Sequence, residues 1–254
     1  MPEAEHQNSF VLTVAESKRL IARQLKRDPR VIRALNQGIV AIAKGTTNSY
    51  VAEELAGEGI NRHHYCTGTT RPAEGGLEAD IANRLPDVVL RGGDRVEGVS
   101  ATEIVEEMGP GDIFIKGANA VNYDKKQAGI LIGHPTGGTI GAAIGTVIAR
   151  RATLLIPVGL EKSVPGDLHE AYRRMSAVAE SSGPTLWPVD GYIFTEIEAL
   201  KLAMSGGEAA LIGAGGIAGA EGSVRISVWG SPEHVSRAEG TVTDIQGEPP
   251  FVQT

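Results

Sequence analysis

The amino-acid sequence predicts an α/β fold, specifically a three-layer α/β/α arrangement with a mainly parallel sheet. Two observations predict it. Short apolar segments such as 39–43 and 154–158 lack the apolar–polar alternation of a half-exposed strand, so we expect both faces of these strands to be buried. Helical segments with periodic apolar residues separate them, as the crossovers between parallel strands require. No segment has the composition of a linker, and we therefore expect a single α/β domain over residues 1–254.

The first elements are the most clearly delimited. Residues 14–37 predict helix, with a break and a new start at Asp28-Pro29, because proline suits the first position of a helix. Gly38 ends this helix, and the apolar segment 39–43 follows as a buried strand. A helix over 46–55 comes next, with threonine or asparagine as its cap.

The remaining elements alternate in the same way. Residues 57–76 are rich in glycine and irregular. Beyond them we predict helices at 101–108, 136–151, 167–179, 195–204 and 231–246. We predict strands at 88–90, 113–115, 130–132, 154–158, 209–212 and 224–228, with an extended segment at 185–188.

Composition limits the functional classes. A hydrophobic fraction of 41% and a charged fraction of 22% are typical of a globular protein. The net charge of −7 argues against a nucleic-acid surface. One cysteine, Cys66, excludes an intrachain disulfide. His63 and His64 lie close to it, but no further ligand has a suitable spacing, so we expect no metal and no cofactor.

The sequence also supports expectations for the setting of the protein. Its first ten residues lack the basic-then-apolar pattern of a signal peptide. The longest apolar segment, 139–149, is interrupted by glycines and is too short to span a membrane. We therefore expect a cytoplasmic homo-oligomer that binds neither membranes nor nucleic acid.

Candidate binding chemistry lies in the turns that follow the apolar strands. In an open parallel sheet, ligands collect beyond the carboxyl ends of the strands, where helix amino termini present free N–H groups. The first such turn contains Gly45, Thr46, Thr47, Asn48 and Ser49, whose amides and hydroxyls suit a phosphate or carboxylate. A glycine turn with a threonine helix cap explains the same residues without a ligand.

Two further turns carry polar groups. Lys116 and Asn119 follow the strand at 113–115, where an asparagine-rich turn is the alternative interpretation. His134, Gly137 and Gly138 lie between a strand and a helix. Consecutive glycines there suit close approach to an anion, and they equally suit tight packing of the helix on the sheet.

Two later segments are weaker candidates. Lys162 follows the strand at 154–158, and alone it would be an ordinary surface lysine. The segment 213–219 superficially matches a dinucleotide fingerprint, but the next strand begins near Ser223 and leaves no room for the required helix.

Taken in order over residues 38–194, these turns resemble the superfamily of ribose-5-phosphate isomerases, glucosamine-6-phosphate deaminases, CoA transferases and bacterial sugar-phosphate sensor domains. The family's phosphate loop, Gly-Thr-Gly-Ser-Thr or Gly-Thr-Thr, is similar to 45–49. Its second motif, Asp-Gly-Ala-Asp-Glu-Val-Asp, is similar to 116–122. Its later motifs are similar to 131–138, 160–162 and 186–190.

The departures from the family's motifs matter for function. The isomerases transfer a proton with carboxylates, and at the matching positions this chain has Lys116, Asn119 and Asn122. CoA transferases use a nucleophilic glutamate, for which Glu221 is the candidate in this chain. The resemblance therefore implies a protein that binds phosphate without the family's acid–base groups, with Lys116, His134 and Glu221 as candidate catalytic residues.

We therefore expect a pocket for a small anionic ligand, with a sugar phosphate as the favoured class. The turn at 45–49 would bind the anion and Lys162 would add charge, while Lys116, Asn119 and His134 would face the rest of the ligand. The protein would be an atypical isomerase-like or transferase-like enzyme, but not a typical ribose-5-phosphate isomerase. The alternative is a non-catalytic sensor or regulatory protein with the same pocket.

Overall fold

A computed structural model describes residues 5–57, 60–68, 70 and 84–251. Its largest sheet has six strands. In chain order these are β2 (Ile39–Ile42), β3 (Val88–Arg91), β4 (Asp94–Arg95), β5 (Ile113–Ile115), β8 (Thr153–Pro157) and β10 (Tyr192–Phe194). Across the sheet they run in the order β10-β8-β5-β2-β3-β4.

The parallel part of this sheet positions the candidate site. Strands β10, β8, β5 and β2 are mutually parallel, whereas β3 runs antiparallel to β2, and β4 runs antiparallel to β3. In the register, Ile42 pairs with Ile115, and Ile115 pairs with Leu155. The carboxyl ends of β2, β5 and β8 therefore lie at one edge of the sheet.

Two three-stranded antiparallel sheets complete the described strands. One consists of β6 (Ala120–Asn122), β7 (Gln127–Ile132) and β9 (Thr185–Val189), in the order β6-β7-β9. The other consists of β1 (His6–Leu12), β11 (Glu208–Ala214) and β12 (Val224–Gly230), in the order β1-β12-β11.

The α/β class is confirmed, but the sheet is mixed rather than mainly parallel. The strands predicted at 130–132 and 185–188 pair with each other in a separate antiparallel sheet. Those predicted at 209–212 and 224–228 form an antiparallel hairpin instead of joining the main sheet. An apolar run indicates that a strand is buried, but it carries no information about the direction of its partner.

Eight α helices connect these strands in the described part of the chain. Asp28 caps the second through Arg30 N–H at 2.8 Å, so the predicted break at Asp28-Pro29 is confirmed. The fourth is shorter than predicted. The helices are α1 (Val14–Leu25), α2 (Pro29–Gln37), α3 (Thr46–Ala56), α4 (Ala101–Ile104), α5 (Gly138–Ala149), α6 (Leu168–Ser176), α7 (Glu196–Met204) and α8 (Pro232–Thr243).

The buried core extends through the main sheet and the helices packed on it. Phe114 at its centre is fully buried, as are Ile42 and Leu155 on the neighbouring strands. Two 3₁₀ turns, Arg62–Tyr65 and Leu160–Lys162, connect core elements. None of the described helices has the length and apolar character needed to cross a membrane.

Candidate functional site

A cavity of about 640 Å³ opens at the carboxyl edge of the parallel strands. The turns that follow β2, β5, β7 and β8 form its walls, so segments far apart in the sequence meet there. The cavity is lined by residues 44–48, 116–119, 130–134, 137–140 and Lys162, together with Thr67, Gly68, Thr70 and Arg84. Of the predicted site residues, all but Ser49 and Glu221 belong to this lining.

The amino terminus of α3 forms one wall. Gly45 is the cap residue, and its carbonyl oxygen accepts the N–H of Ser49 at 2.8 Å. No described side chain caps the helix, so the amides of Thr46, Thr47 and Asn48 have no partner among the described residues. These N–H groups and the helix dipole make the wall positive. The predicted threonine or asparagine cap is wrong, because glycine occupies the cap position.

Gly45 leaves this wall open to a ligand. Its backbone is extended, with φ 164°, a conformation that any residue adopts. A Cβ atom added at Gly45 would have its nearest neighbour, Asn48 Cβ, at 3.9 Å. The glycine is therefore required by neither strain nor packing, and its effect is to keep the space in front of the amides free.

Tyr65 fixes the turn between β2 and α3. Its hydroxyl donates to the carbonyl oxygen of Ile42 and accepts the N–H of Val88 at 2.9 Å. Its own carbonyl oxygen accepts the N–H of Gly45 at 3.1 Å. Burial raises the pKa of Tyr65, so the hydroxyl stays protonated and able to donate. The amides at the start of α3 are thereby held in place.

Two buried oxygens at this wall lack partners. Asn48 is completely buried, and its Nδ2 donates to the carbonyl oxygen of Ala43 at 2.7 Å. Its Oδ1 and the Oγ1 of Thr47 have no partner among the described residues. Gly117 lies beside Oδ1, and a Cβ there would be 3.5 Å from it. Leaving a buried acceptor unpaired costs about 1–3 kcal/mol, and a ligand donor would recover it.

Lys116 follows β5 directly, and its N–H donates to the carbonyl oxygen of Leu155 at 3.0 Å. Its side chain is half-buried in the cavity wall. Its ammonium group forms no ion pair or side-chain hydrogen bond within the described part of the chain. Burial lowers the pKa of Lys116 to about 8; Lys162 acts in the same direction and Asp87 opposes both.

Lys162 enters the cavity from the 3₁₀ turn after β8. Its Nζ donates to the carbonyl oxygen of Ala118 at 2.9 Å. The preceding residue, Glu161, lies 3.7 Å from the Nζ of buried Lys18. Glu196, also fully buried, accepts the N–H of Leu160 with both carboxylate oxygens. A buried group of three charged side chains therefore supports the turn that presents Lys162.

The remaining cations of the cavity differ in their partners. Lys44 forms an ion pair with Asp87 at 2.8 Å, which offsets its charge. The second oxygen of Asp87 accepts the N–H of Ala101 at 3.0 Å, which orients the carboxylate. Arg84 also lines the cavity, and its buried Nε has no partner among the described residues.

His134 lies at the exposed rim, and its Nδ1 accepts the N–H of Thr136 at 3.3 Å. In the neutral ring this contact places the proton on Nε2, where it can be donated to a ligand. Gly137 has φ 83° and ends the turn, so α5 begins at Gly138 rather than at 136. A second cavity of about 530 Å³ shares this wall and reaches Trp187 on its far side.

The two remaining predicted residues lie elsewhere. Ser49 is buried in α3, and its Oγ donates to the carbonyl oxygen of Thr46 at 2.7 Å. Glu221 is exposed in the turn between β11 and β12, where it accepts the N–H of Gly219 at 2.9 Å. The antiparallel pairing of these strands places the turn outside the cavity lining, so Glu221 does not meet Lys116 there.

Some cavity residues carry no signal in the sequence. Arg84 and Thr70 flank a glycine-rich segment that matches no motif. Asp87, which lies outside the lining but pairs with Lys44, precedes a short strand that pairs antiparallel to β2. Tyr65 follows the histidine pair considered for metal binding. Among the described residues, no three histidine, cysteine or acidic side chains cluster as metal ligands. Comparisons with protein-family models, curated proteins and solved structures found no match for this chain.

Proposed function

We propose that the cavity binds a small phosphorylated ligand, with sugar phosphates as the favoured class. One observation carries this proposal: no aspartate or glutamate belongs to the described lining, although the whole chain has a net charge of −7. Arg84, Lys116 and Lys162 line the cavity instead, beside the α3 amides that have no partner within the described ranges. A positive, concave site in an acidic protein suits a compact anion.

The phosphate group is assigned to the amino terminus of α3. The amides of Thr46, Thr47 and Asn48 offer several donors at a positive helix end, and Lys162 supplies charge from the neighbouring turn. Hydrogen bonds from such donors to an ionised group contribute about 1.5–3 kcal/mol each. This assignment agrees with the resemblance of 45–49 to the phosphate loop of the isomerase and CoA transferase superfamily, of which we propose the chain is a divergent member.

The rest of the ligand is expected to carry hydrogen-bond donors. The unpartnered Oδ1 of Asn48 and Oγ1 of Thr47 can accept hydroxyl protons, as a sugar supplies. Lys116 and His134 face the same space. A non-catalytic sensor with this pocket is the second candidate, favoured by the absence of any carboxylate in the described lining that could act as the base of a sugar isomerase.

Gly45→Val tests the proposed phosphate site. The valine side chain would fit the fold, since the nearest atom to the new Cβ lies at 3.9 Å, but it would occupy the space in front of the α3 amides. We expect titration calorimetry with inorganic phosphate and with ribose 5-phosphate to detect binding to the unaltered protein. The variant should lose at least about tenfold in affinity, equivalent to about 1.4 kcal/mol.

Gly213→Val is the matched control. A Cβ at Gly213 also has its nearest neighbour, Arg225 Cβ, at 3.9 Å, but this glycine lies in β11, outside the cavity. The control should bind as the unaltered protein does. Equal affinity of the two variants for ribose 5-phosphate, or no binding of either anion to the unaltered protein, would overturn the proposal.

A further inference from the structure

Lys116 differs from the other lysines of the cavity in its contacts. Lys44 is paired with Asp87, and Lys162 donates to the carbonyl oxygen of Ala118. Within the described residues, the Nζ of Lys116 makes neither kind of contact. A lysine that only held the fold together would be expected to have such a partner, because a half-buried ammonium without one is costly.

Burial and a neighbouring cation both disfavour the positive charge of Lys116. Lys162 approaches from the turn after β8 and disfavours a second positive charge, while burial removes the solvent that would stabilise one. Asp87 is the acidic group that acts on it, but this carboxylate is already engaged by Lys44 and by the N–H of Ala101. With a pKa of about 8, about a tenth of the Lys116 side chains carry a free amine at pH 7.

We propose that Lys116 is a nucleophile that forms an imine with the aldehyde or ketone group of a phosphorylated ligand. The proposal rests on the proposed function, because the phosphate bound at α3 would hold the carbonyl carbon within the cavity that Lys116 lines. It narrows the expected ligands from phosphorylated compounds in general to those that carry an aldehyde or ketone group. It also assigns a covalent reaction to Lys116.

The step is balanced without an oxidant or reductant. The lone pair of the neutral amine forms a C–N bond with the carbonyl carbon as the C=O π bond breaks. One amine proton is transferred to the oxygen, which gives the C–OH group of a carbinolamine. The hydroxyl then leaves as water, with one proton supplied to it, as the C=N bond forms. The amine loses both of its protons over the two steps, and the net products are the imine and one water molecule.

Other groups of the cavity fit this chemistry. The Nε2–H of His134 can donate a hydrogen bond that polarises the carbonyl oxygen of the ligand, because its Nδ1 is already occupied by Thr136. The unpartnered Oδ1 of Asn48 can accept the N–H of the carbinolamine. The phosphate is assigned to the amides of α3 and the amine comes from the turn after β5, so the anion and the amine have separate roles.

Borohydride trapping tests the proposal. The protein is incubated with glyceraldehyde 3-phosphate or dihydroxyacetone phosphate, reduced with borohydride and mapped by mass spectrometry. We expect one stable adduct on Lys116, competed away by inorganic phosphate and weaker with unphosphorylated glyceraldehyde. Lys116→Arg should yield no adduct, because a guanidinium group does not form an imine with a carbonyl group.

Two variants make the assignment specific. Lys26→Arg removes an exposed lysine remote from the cavity and should leave the trapping unchanged. Lys162→Met removes the neighbouring positive charge, so the pKa of Lys116 should rise and trapping at saturating ligand should require a higher pH.

The outcomes separate the two proposals. Phosphate binding without an adduct on Lys116 would overturn the imine and leave the proposed function standing. Adducts spread over surface lysines, or an adduct on Lys116 that phosphate does not compete away, would also overturn it. Absence of both phosphate binding and the adduct would overturn the two proposals together.

Discussion

Lys162 Nζ donates a hydrogen bond of 2.9 Å to the carbonyl oxygen of Ala118 and so joins the turn after β8 to the turn after β5. The bond holds the cation at the floor of the cavity, beside Lys116. It uses one of the three protons of the ammonium group, and the others remain available to an anion. A single side chain therefore both links two loops and contributes charge to the site.

Lys162→Met should affect stability and binding together. Loss of a charge-assisted hydrogen bond at a half-buried position should lower the free energy of unfolding by about 1–2 kcal/mol. Affinity for phosphate should fall about tenfold because a nearby charge is removed. Urea unfolding and calorimetry measure the two effects. Lys201→Met, at an exposed lysine paired with Glu208, is the control and should change neither.

Asn48→Asp and Asn119→Asp form a matched pair. Asn48 uses its Nδ2 to bond a buried carbonyl, so the aspartate would place an unpaired charge there and cost about 3 kcal/mol or more. Asn119 uses its Oδ1 to accept the N–H of Leu131 at 3.0 Å, which aspartate retains. Its variant should cost about 1 kcal/mol or less.

Both aspartates add a negative charge to the cavity, so both variants should bind phosphate more weakly. Thermal unfolding distinguishes them, because only Asn48→Asp should lower the melting temperature strongly. If the two substitutions lowered the melting temperature equally, the hydrogen bond from Asn48 Nδ2 to the carbonyl oxygen of Ala43 would be contradicted.

Gly137 and Gly138 should differ in their tolerance of alanine. Both have a left-handed backbone, at φ 83° and 58°, which costs a side chain about 1–2 kcal/mol. At Gly138 the nearest atom to a new Cβ is 3.7 Å away, whereas at Gly137 the Cα of Gly141 is at 2.9 Å and the Trp187 ring at 3.3 Å. Gly137→Ala should therefore cost about 1–3 kcal/mol more than Gly138→Ala. Chemical denaturation of both variants measures the difference.

Glu196 should make stability depend on pH. Burial raises the pKa of this carboxyl, and Glu161 adds to the effect. Between the unfolded and folded pKa values of Glu196 the native state binds more protons than the unfolded state, so the contribution of this group to stability is present below the interval and is lost as pH rises through it. Unfolding free energies measured from about pH 5 to pH 7 should show this decline.

Glu196→Gln should remove most of that pH dependence. The amide keeps one oxygen as an acceptor for the N–H of Leu160 and does not ionise. The exposed Glu233→Gln is the control and should retain the slope of the unaltered protein. A Glu196→Gln variant whose stability still declines as in the unaltered protein would show that another group is responsible.

Local signals in the sequence are sufficient to predict most elements. The buried strand at 39–42 and the helix start at Asp28-Pro29 follow from an apolar run and from a proline at its favoured position. The turns at 45–48 and 116–119 are expected to lie close together because the carboxyl ends of neighbouring parallel strands lie at the same edge of the sheet. The functional assignment of these residues stays a prediction.

Non-local pairing could not be predicted from the sequence. Strand β1 has the polar sequence His-Gln-Asn-Ser before its apolar residues, so it carries no strand signal, and it is formed by pairing with β12. The apolar residues 130–132 predict a strand of the main sheet, but they pair with β9, more than fifty positions later, in a separate sheet. No local sequence pattern predicts the role of Asp87. Its carboxylate contacts Lys44 and the N–H of Ala101, and only the folded chain brings these groups together.

The pairing of β1 with β12 has a consequence for biosynthesis. Ser9 meets Ser227 across this ladder, so β1 cannot find its partner until more than two hundred further residues have been translated. At about 5–20 residues per second, that delay is about ten seconds or longer. Throughout it the backbone N–H and C=O groups of the strand have no native partner, and an unpaired strand is a ready template for other chains. Until β12 has been made, β1 is therefore open to pairing with other chains.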